Sequence, residues 1–307
     1  VRVTDTKILY IAGPGRSGST LLADILGQIE GWTNVGELMF FWRNRQPGST
    51  RSCGCGSLLV DCAFWTEVAE LAPGAASLDP SVIDLAYRAR AATHWPGLMV
   101  RERRHDAAFG QWRDAVAELY AAVSTVTGCR VIVDPSKQPA AGLVATATDV
   151  GEMSLLQLTR DPRAVVTSWL HPKSSEQFPD EQLFAMRPSR STFDWVVQSA
   201  ATSLVLRRRV AKGRFLRMAY EQLVAEPRAN VERIATWMGE PGVALPFTSA
   251  TTVVTEPTHS IAGNPDRLGA AERTIVDHER WRSELDPGTR RMVELATWPL
   301  ARAYGYR

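Results

Sequence analysis

The first regular pattern in the chain is KILYIAG, residues 7–13, a short apolar run that ends in glycine. Unbroken apolarity over so few residues suits a strand buried on both faces of a parallel sheet. The stretch STLLADILGQIE that follows sets Leu21, Leu22, Ile25 and Ile29 on one helical face. Strand, glycine turn and helix are therefore predicted in that order. Three later runs have the same character: RVIVD (130–134), SLLQLTR (154–160) and RFLRMAY (214–220), each followed by a plausible helix. This alternation predicts an α/β fold, a central parallel sheet flanked by helices. The unit at 154–170 is the best punctuated, with Asp161 as helix cap and Pro162 in the first turn, where a missing N–H costs nothing. Residues 64–128 read as helices and are expected to form an insertion capping the sheet. No internal repeat, low-complexity tract or long linker breaks the chain, so residues 1–307 read as one domain.

Composition narrows the class without choosing a chemistry. An apolar fraction of 45% and a charged fraction of 22% are those of an ordinary folded chain. With 35 Lys and Arg against 33 Asp and Glu, the net charge of +2 gives no case for nucleic acid as a partner. Basic runs such as Arg207–Arg209 and 101–105 are read as solvated helix faces. No stretch approaches the roughly 20 apolar residues of a membrane span, and VRVTDTKILYIAG lacks an export signal. The expectation is a cytoplasmic enzyme; the oligomeric state stays open. Three of the four cysteines cluster in RSCGCGSLLVDCAFW, as Cys53, Cys55 and Cys62, with Cys129 remote. They could form a disulfide or, with a fourth ligand, a zinc site, but C-x-C-x6-C matches no standard zinc module. The loop is read as tightly packed thiols, and no metal is expected.

Parallel sheets bind ligands at the carboxyl ends of their strands, which directs attention to the residues after Ala12, Asp134, Arg160 and Tyr220. GPGRSGSTLL, residues 13–22, has the glycine spacing of a Walker phosphate loop, yet Ser19 stands where the lysine would be and Arg16 is the nearby cation. Amides from Ser17 to Leu21 would converge at a helix N-terminus and favour an anion. The alternative is a tight strand-to-helix turn. The missing lysine argues against ATP.

Arg16-Ser17-Gly18-Ser19-Thr20 resembles the 5′-phosphosulfate loop of the sulfotransferases that use 3′-phosphoadenosine 5′-phosphosulfate (PAPS), in the form found in the Golgi and bacterial branches. LTRDPRAVVTSWL is similar to that family's 3′-phosphate signature and supplies Arg160 and Ser168 eight residues apart. The resemblance implies a P-loop NTPase-like sulfotransferase fold with helical insertions and PAPS as co-substrate, released as 3′-phosphoadenosine 5′-phosphate. MAYEQLVAEP resembles the segment whose tyrosine approaches the adenine, which implicates Tyr220. HSIAGNPDRLG resembles a loop over the 3′-phosphate side and implicates Gly263, Asn264 and Arg267. VDPSKQP resembles a strand-end Asp-Ser-Ser-Lys and nominates Lys137. Leu21 stands where the cytosolic branch has an adenine-stacking tryptophan, so another group must flank the base.

Sulfuryl transfer leaves negative charge on the departing phosphate, which Arg16, Lys137 and the loop amides could stabilise. The acceptor, a hydroxyl or amine, must lose a proton. Glu37 in NVGEL is the first candidate base, resembling the catalytic glutamate of the tyrosylprotein branch; a salt-bridged glutamate near Arg16 is the alternative, and Asp134 is the fallback base. His94, His105 and His171 are read as structural or pocket-lining, and His259 as a phosphate contact. The segment from His171 to Trp195 and the helical insertion are expected to hold the acceptor, a small molecule, lipid or carbohydrate. Trp65, Trp95, Trp112 and Trp195 are either pocket walls or core. An ATP-dependent kinase and an inactive nucleotide-binding scaffold are the competing readings.

Overall fold

A computed structural model describes residues 6–171, 185–268, 271–276 and 279–306. Five parallel strands form the central sheet in the order β2-β3-β1-β4-β5: β1 (Lys7–Ala12), β2 (Trp32–Asn34), β3 (Val131–Lys137), β4 (Glu152–Thr159) and β5 (Phe215–Ala219). The strand period of two assigns each side chain to one of two cores. Ile8, Tyr10 and Ala12 of β1 face the core that also holds Ile132 and Leu155. Leu9 and Ile11 point the other way, toward Val131, Val133, Leu156 and Leu158. Both faces are therefore covered, which explains why β1 reads as uninterrupted apolar sequence.

One face packs on α1 (Ser19–Leu26), whose Leu22, Ala23, Ile25 and Leu26 are buried. The other face lies under the predicted helical stretch. After the short α2 (Phe41–Asn44) come α3 (Ala63–Leu71), α4 (Pro73–Ala76), α5 (Pro80–Ala89), α6 (Trp95–Arg103) and α7 (Ala107–Thr127), followed beyond β3 by α8 (Pro139–Ala145). Trp65 and Trp112 are at most 1% exposed in this core, so two of the four tryptophans under consideration are packing residues.

The remaining helices continue the βα alternation. They are α9 (Pro162–Leu170) after β4, α10 (Pro188–Leu204), α11 (Tyr220–Ala225) and α12 (Pro227–Trp237) after β5, α13 (Trp281–Glu284) and α14 (Pro287–Ala303). An antiparallel pair, β6 (Thr252–Thr255) with β7 (Ala271–Thr274), was not expected. Its strands are four residues each, too short for a pattern of alternation to stand out. Among the described residues, no helix is long and apolar enough to cross a membrane.

Candidate active site

At the carboxyl edge of the sheet the chain leaves a cleft of about 1300 Å³. That exceeds the roughly 300–1,000 Å³ of a pocket for one small ligand. It has room for two reactants.

The loop after β1 forms the floor. Gly13 has φ +141°, and a Cβ there would lie 2.1 Å from the Leu158 carbonyl oxygen, so only glycine permits β1 and β4 to approach so closely. Gly18 caps α1 in the left-handed conformation with no side-chain cap and no acidic residue in the first turn. The first amides of α1 thus keep their partial positive charge for something else. Arg16, also left-handed with φ +69°, stacks its guanidinium 4.9 Å from the centre of the Trp169 ring.

Lys137 and Glu37 come from opposite directions. Lys137 ends β3 with φ +65°, where the pairing with β1 is irregular. Glu37 follows β2 and is anchored by its own amide, which donates to the Ile261 carbonyl at 2.6 Å. The Lys137 Nζ donates to Glu37 Oε1 in a short contact, and both side chains are nearly buried. Glu37 is therefore salt-bridged, with Lys137 as its partner.

Arg160, just past β4, donates from Nη1 to the Arg16 carbonyl at 3.0 Å and lies 4.3 Å over the Tyr220 ring. A Cβ on Gly18 would meet that same ring at 2.4 Å. Ser168 faces the cleft from α9. From the far side, Gly263 and Asn264 close on the loop, with the Asn264 amide donating to Thr20 Oγ1 at 3.2 Å. Arg16, Gly18, Ser19, Thr20, Glu37, Lys137, Arg160, Ser168, Tyr220, Gly263 and Asn264 all line one cleft. Two other nominees do not. Ser17 is fully buried beneath the loop, and Arg267 is 3% exposed, donating from Nη2 to the Ser52 carbonyl at 2.9 Å.

Several placements depart from the sequence reading. Asp134 is buried under the cleft, accepting from Tyr120 Oη at 2.7 Å and from the Ser136 amide at 2.8 Å. Burial pushes its carboxyl up to about 6, against the lowering effect of those hydrogen bonds. It braces the strand end and does not line the cleft. His259 is not a lining residue of the cleft. Its ring stacks on Phe64 at 4.6 Å, and its Nδ1 faces Cys62 Sγ at 3.4 Å and Cys53 Sγ at 3.8 Å. His94 and His171 do line the cleft; of the segment nominated from His171 to Trp195, residues 172–184 lie outside the described residues, while Met186, Arg190 and Ser191 line the cleft. Trp195 is fully buried and donates to the Arg160 carbonyl at 3.0 Å, so it supports the site from behind while touching the cleft.

The sequence reading passed over three further groups. Trp169 flanks both Gly15 and Arg16. Asp194 on α10 lines the cleft, its carboxyl raised by burial although Arg190 opposes the shift. At the mouth, Tyr87 is approached by the guanidinium groups of Arg43 at 3.7 Å and Arg90 at 4.0 Å. Trp169 directly follows Ser168 in the LTRDPRAVVTSWL segment, whereas Asp194 and Tyr87 lie in no recognisable motif and are gathered only by folding.

The donor set suits an oxyanion. Arg160, which lines the cleft, has its Nε buried with no hydrogen-bond partner among the described residues, a costly state that an oxyanion ligand would relieve.

A sequence model described as the sulfotransferase family matches residues 9–244. The chain belongs to the sulfotransferase family. Two solved structures share its fold. The sulfotransferase domain of the olefin synthase from Synechococcus PCC 7002 is 19% identical, with a TM-score of 0.54 over 99% of this chain and 96% of its own. The sulfotransferase domain from the curacin biosynthetic pathway is 13% identical, with a TM-score of 0.55 over 100% of this chain and 99% of its own. No curated protein sequence matches the chain.

Proposed function

We propose that this protein transfers the sulfuryl group of PAPS to a hydroxyl or amine of a small-molecule, lipid or carbohydrate acceptor. The observation that carries this reading is the convergence of an uncapped helix end, Arg16, the Lys137–Glu37 pair and Arg160 on one cleft. The 5′-phosphosulfate would lie against the α1 amides and Arg16, and the 3′-phosphate against Arg160 and Ser168. The acceptor would enter beneath α5 and α10, between Tyr87 and Asp194.

In the transfer step the acceptor oxygen or nitrogen forms a bond to sulfur while the bond from sulfur to the phosphate oxygen breaks. The electron pair leaves on that phosphate, where Arg16, Lys137 and the loop amides offset its charge. The acceptor's proton goes to the Glu37 carboxylate. The ion pair gives this scheme a further property. With Glu37 holding Lys137, the group that stabilises departure and the group that accepts the proton are mechanically linked, so arrival of an acceptor at Glu37 would release Lys137 toward the donor.

Calorimetry with PAPS and with adenosine 5′-phosphosulfate, which lacks the 3′-phosphate, tests the donor assignment. A charge-assisted hydrogen bond contributes roughly 1.5–3 kcal/mol, so PAPS should bind at least about tenfold more tightly. Arg160→Ala should erase the preference. Equal affinity of the unaltered protein for both nucleotides, or tighter binding of ATP, would overturn the reading.

A further inference from the structure

The cysteine loop and His259 meet outside the cleft. Sγ of Cys53, Cys55 and Cys62 and one ring nitrogen of His259 all lie within 4.8 Å of one another. Cys55 and Cys62 sulfurs are 3.8 Å apart, and His259 Nδ1 is 3.4 Å from Cys62 and 3.8 Å from Cys53. A tetrahedral zinc ion bound at about 2.3 Å to sulfur and about 2.0–2.1 Å to nitrogen separates its ligands by about 3.8 Å for two sulfurs and about 3.5 Å for sulfur and nitrogen. The observed spacings bracket those values before any ion has drawn the ligands together.

We propose that Cys53, Cys55, Cys62 and His259 hold one zinc ion in a closed, structural Cys3His site. The fourth ligand that the cysteine spacing lacked is thus supplied by a histidine about two hundred residues further along the chain, and the expectation of a metal-free loop is revised. The surroundings are those of a ligand set held in place. Amides of Cys55, Ser57 and Trp65 point at the sulfurs of Cys53, Cys55 and Cys62 in turn, as outer partners that steady thiolate ligands do. The Phe64 ring lies nearly parallel to the imidazole, and Trp65 Nε1 donates to the His259 carbonyl at 2.7 Å, so ring and backbone of the histidine are both fixed. Three thiolates and an imidazole suit zinc and offer no oxygen for magnesium or calcium. Binding displaces the thiol protons to solvent and changes no oxidation state. Four protein ligands leave no open position, so the ion would hold structure and take no part in transfer.

What it would hold is the back of the cleft. The loop and residues 258–261 already share the Cys53–Ile261 bridge and the bond from the Gly54 amide to the Ser260 carbonyl. Ile261 in turn receives the Glu37 amide, and the next residues are Ala262, Gly263 and Asn264 in the cleft wall. An ion tying 53–62 to 259 therefore fixes the backbone behind Glu37 and the loop on Thr20. That last consequence, unlike the site itself, rests on the proposed donor reading.

Elemental analysis of protein purified under reducing conditions without chelator should find about one zinc per chain. Cobalt added to the demetallated protein should give the visible bands and the thiolate charge-transfer absorption of a tetrahedral site, a readout that needs no variant to fold. Cys62→Ser and His259→Ala should each lower the zinc content, and chelation should lower the melting temperature. Protein without stoichiometric zinc that also gives no such cobalt spectrum overturns the proposal, as does a Cys55–Cys62 disulfide found by mass spectrometry or iron in place of zinc. Zinc present without PAPS affinity would sink the functional reading alone; PAPS affinity without zinc would sink this one alone.

Discussion

The turn from β1 into α1 and the turn from β4 into α9 lie side by side at the carboxyl edge of the sheet, and they treat their helix ends in opposite ways. At α9, Asp161 accepts from the Arg163 amide at 2.8 Å while its other bonds engage the Arg163 guanidinium, which also reaches Glu294 at 3.0 Å. That end is satisfied internally, and its contribution to the cleft comes from side chains, Arg160 before the cap and Ser168 two turns on. At α1, Gly18 offers no side chain, and the amides stay available. Two strand-to-helix units with the same outline thus differ in where the positive charge is directed: to a carboxylate in one, into the cleft in the other. Several other helices here also lack a side-chain cap, so it is the open end of α1 together with Arg16 on the cleft that marks this turn as the candidate anion site.

The contrast is broken most directly by removing one arginine from each turn. Arg16→Ala should lower kcat/KM by about 10²–10³, the scale of one lost charge-stabilising donor. Arg163→Ala should lower the melting temperature and leave the transfer rate at that of the unaltered protein. Equal losses of rate would mean that both turns touch the reacting group.

A third strand end sharpens the comparison. Asp134 takes the Ser136 amide much as Asp161 takes that of Arg163, but it does so fully buried. Its carboxyl is raised from 3.8 to about 6, so the protonated form is favoured in the folded state. The associated stability is complete below the ordinary carboxylate value and is lost as pH rises toward about 6. The loss is on the order of 3 kcal/mol at neutral pH. Asp134→Asn cannot ionise and should gain in melting temperature relative to the unaltered protein between pH 4 and pH 7, while sulfate transfer persists. A pH-independent difference would remove the shift, and loss of transfer would return Asp134 to the role of base.

The smallest effects separate backbone from cap. Gly18→Ala forces a Cβ toward the Tyr220 ring in a conformation that costs a non-glycine residue about 1–2 kcal/mol, and donor affinity should fall about tenfold. Asp161→Ala should cost about 1 kcal/mol of stability with donor affinity unchanged. Titration calorimetry and thermal melts on both variants would show the reverse pattern if the assignments of the two turns were exchanged.

Much of this arrangement was legible because it is local. The β1 turn, the Asp161 cap and the Arg160 to Ser168 separation each span a few residues of one strand-loop-helix unit, where periodicity and capping chemistry act directly. Lys137 and Glu37 were both nominated, yet nothing in either segment says that they touch, since their contact depends on β3 lying between β2 and β1. His259 was misread for the same reason: its neighbours in sequence belong to the cleft wall, and its neighbours in space are cysteines some two hundred residues earlier. Arg267 also followed its segment into the proposed site by sequence, whereas its side chain turns to the Ser52 carbonyl. Motifs located the chain near the chemistry; which side chains reach it was decided by tertiary contacts.

Tyr220 gives the adjoining turns one more property. Its ring fills the space beside Gly18 and also carries the Arg160 guanidinium, while Arg160 returns a bond to the Arg16 carbonyl. One aromatic ring thus touches both turns and helps to fix their spacing. On the proposed donor reading, such a spacing would work as a ruler, measuring the span between two anionic groups of a ligand without reading the base between them. Replacing the ring with a smaller side chain would loosen the scale, and relaxed selection by ligand length would be the signature.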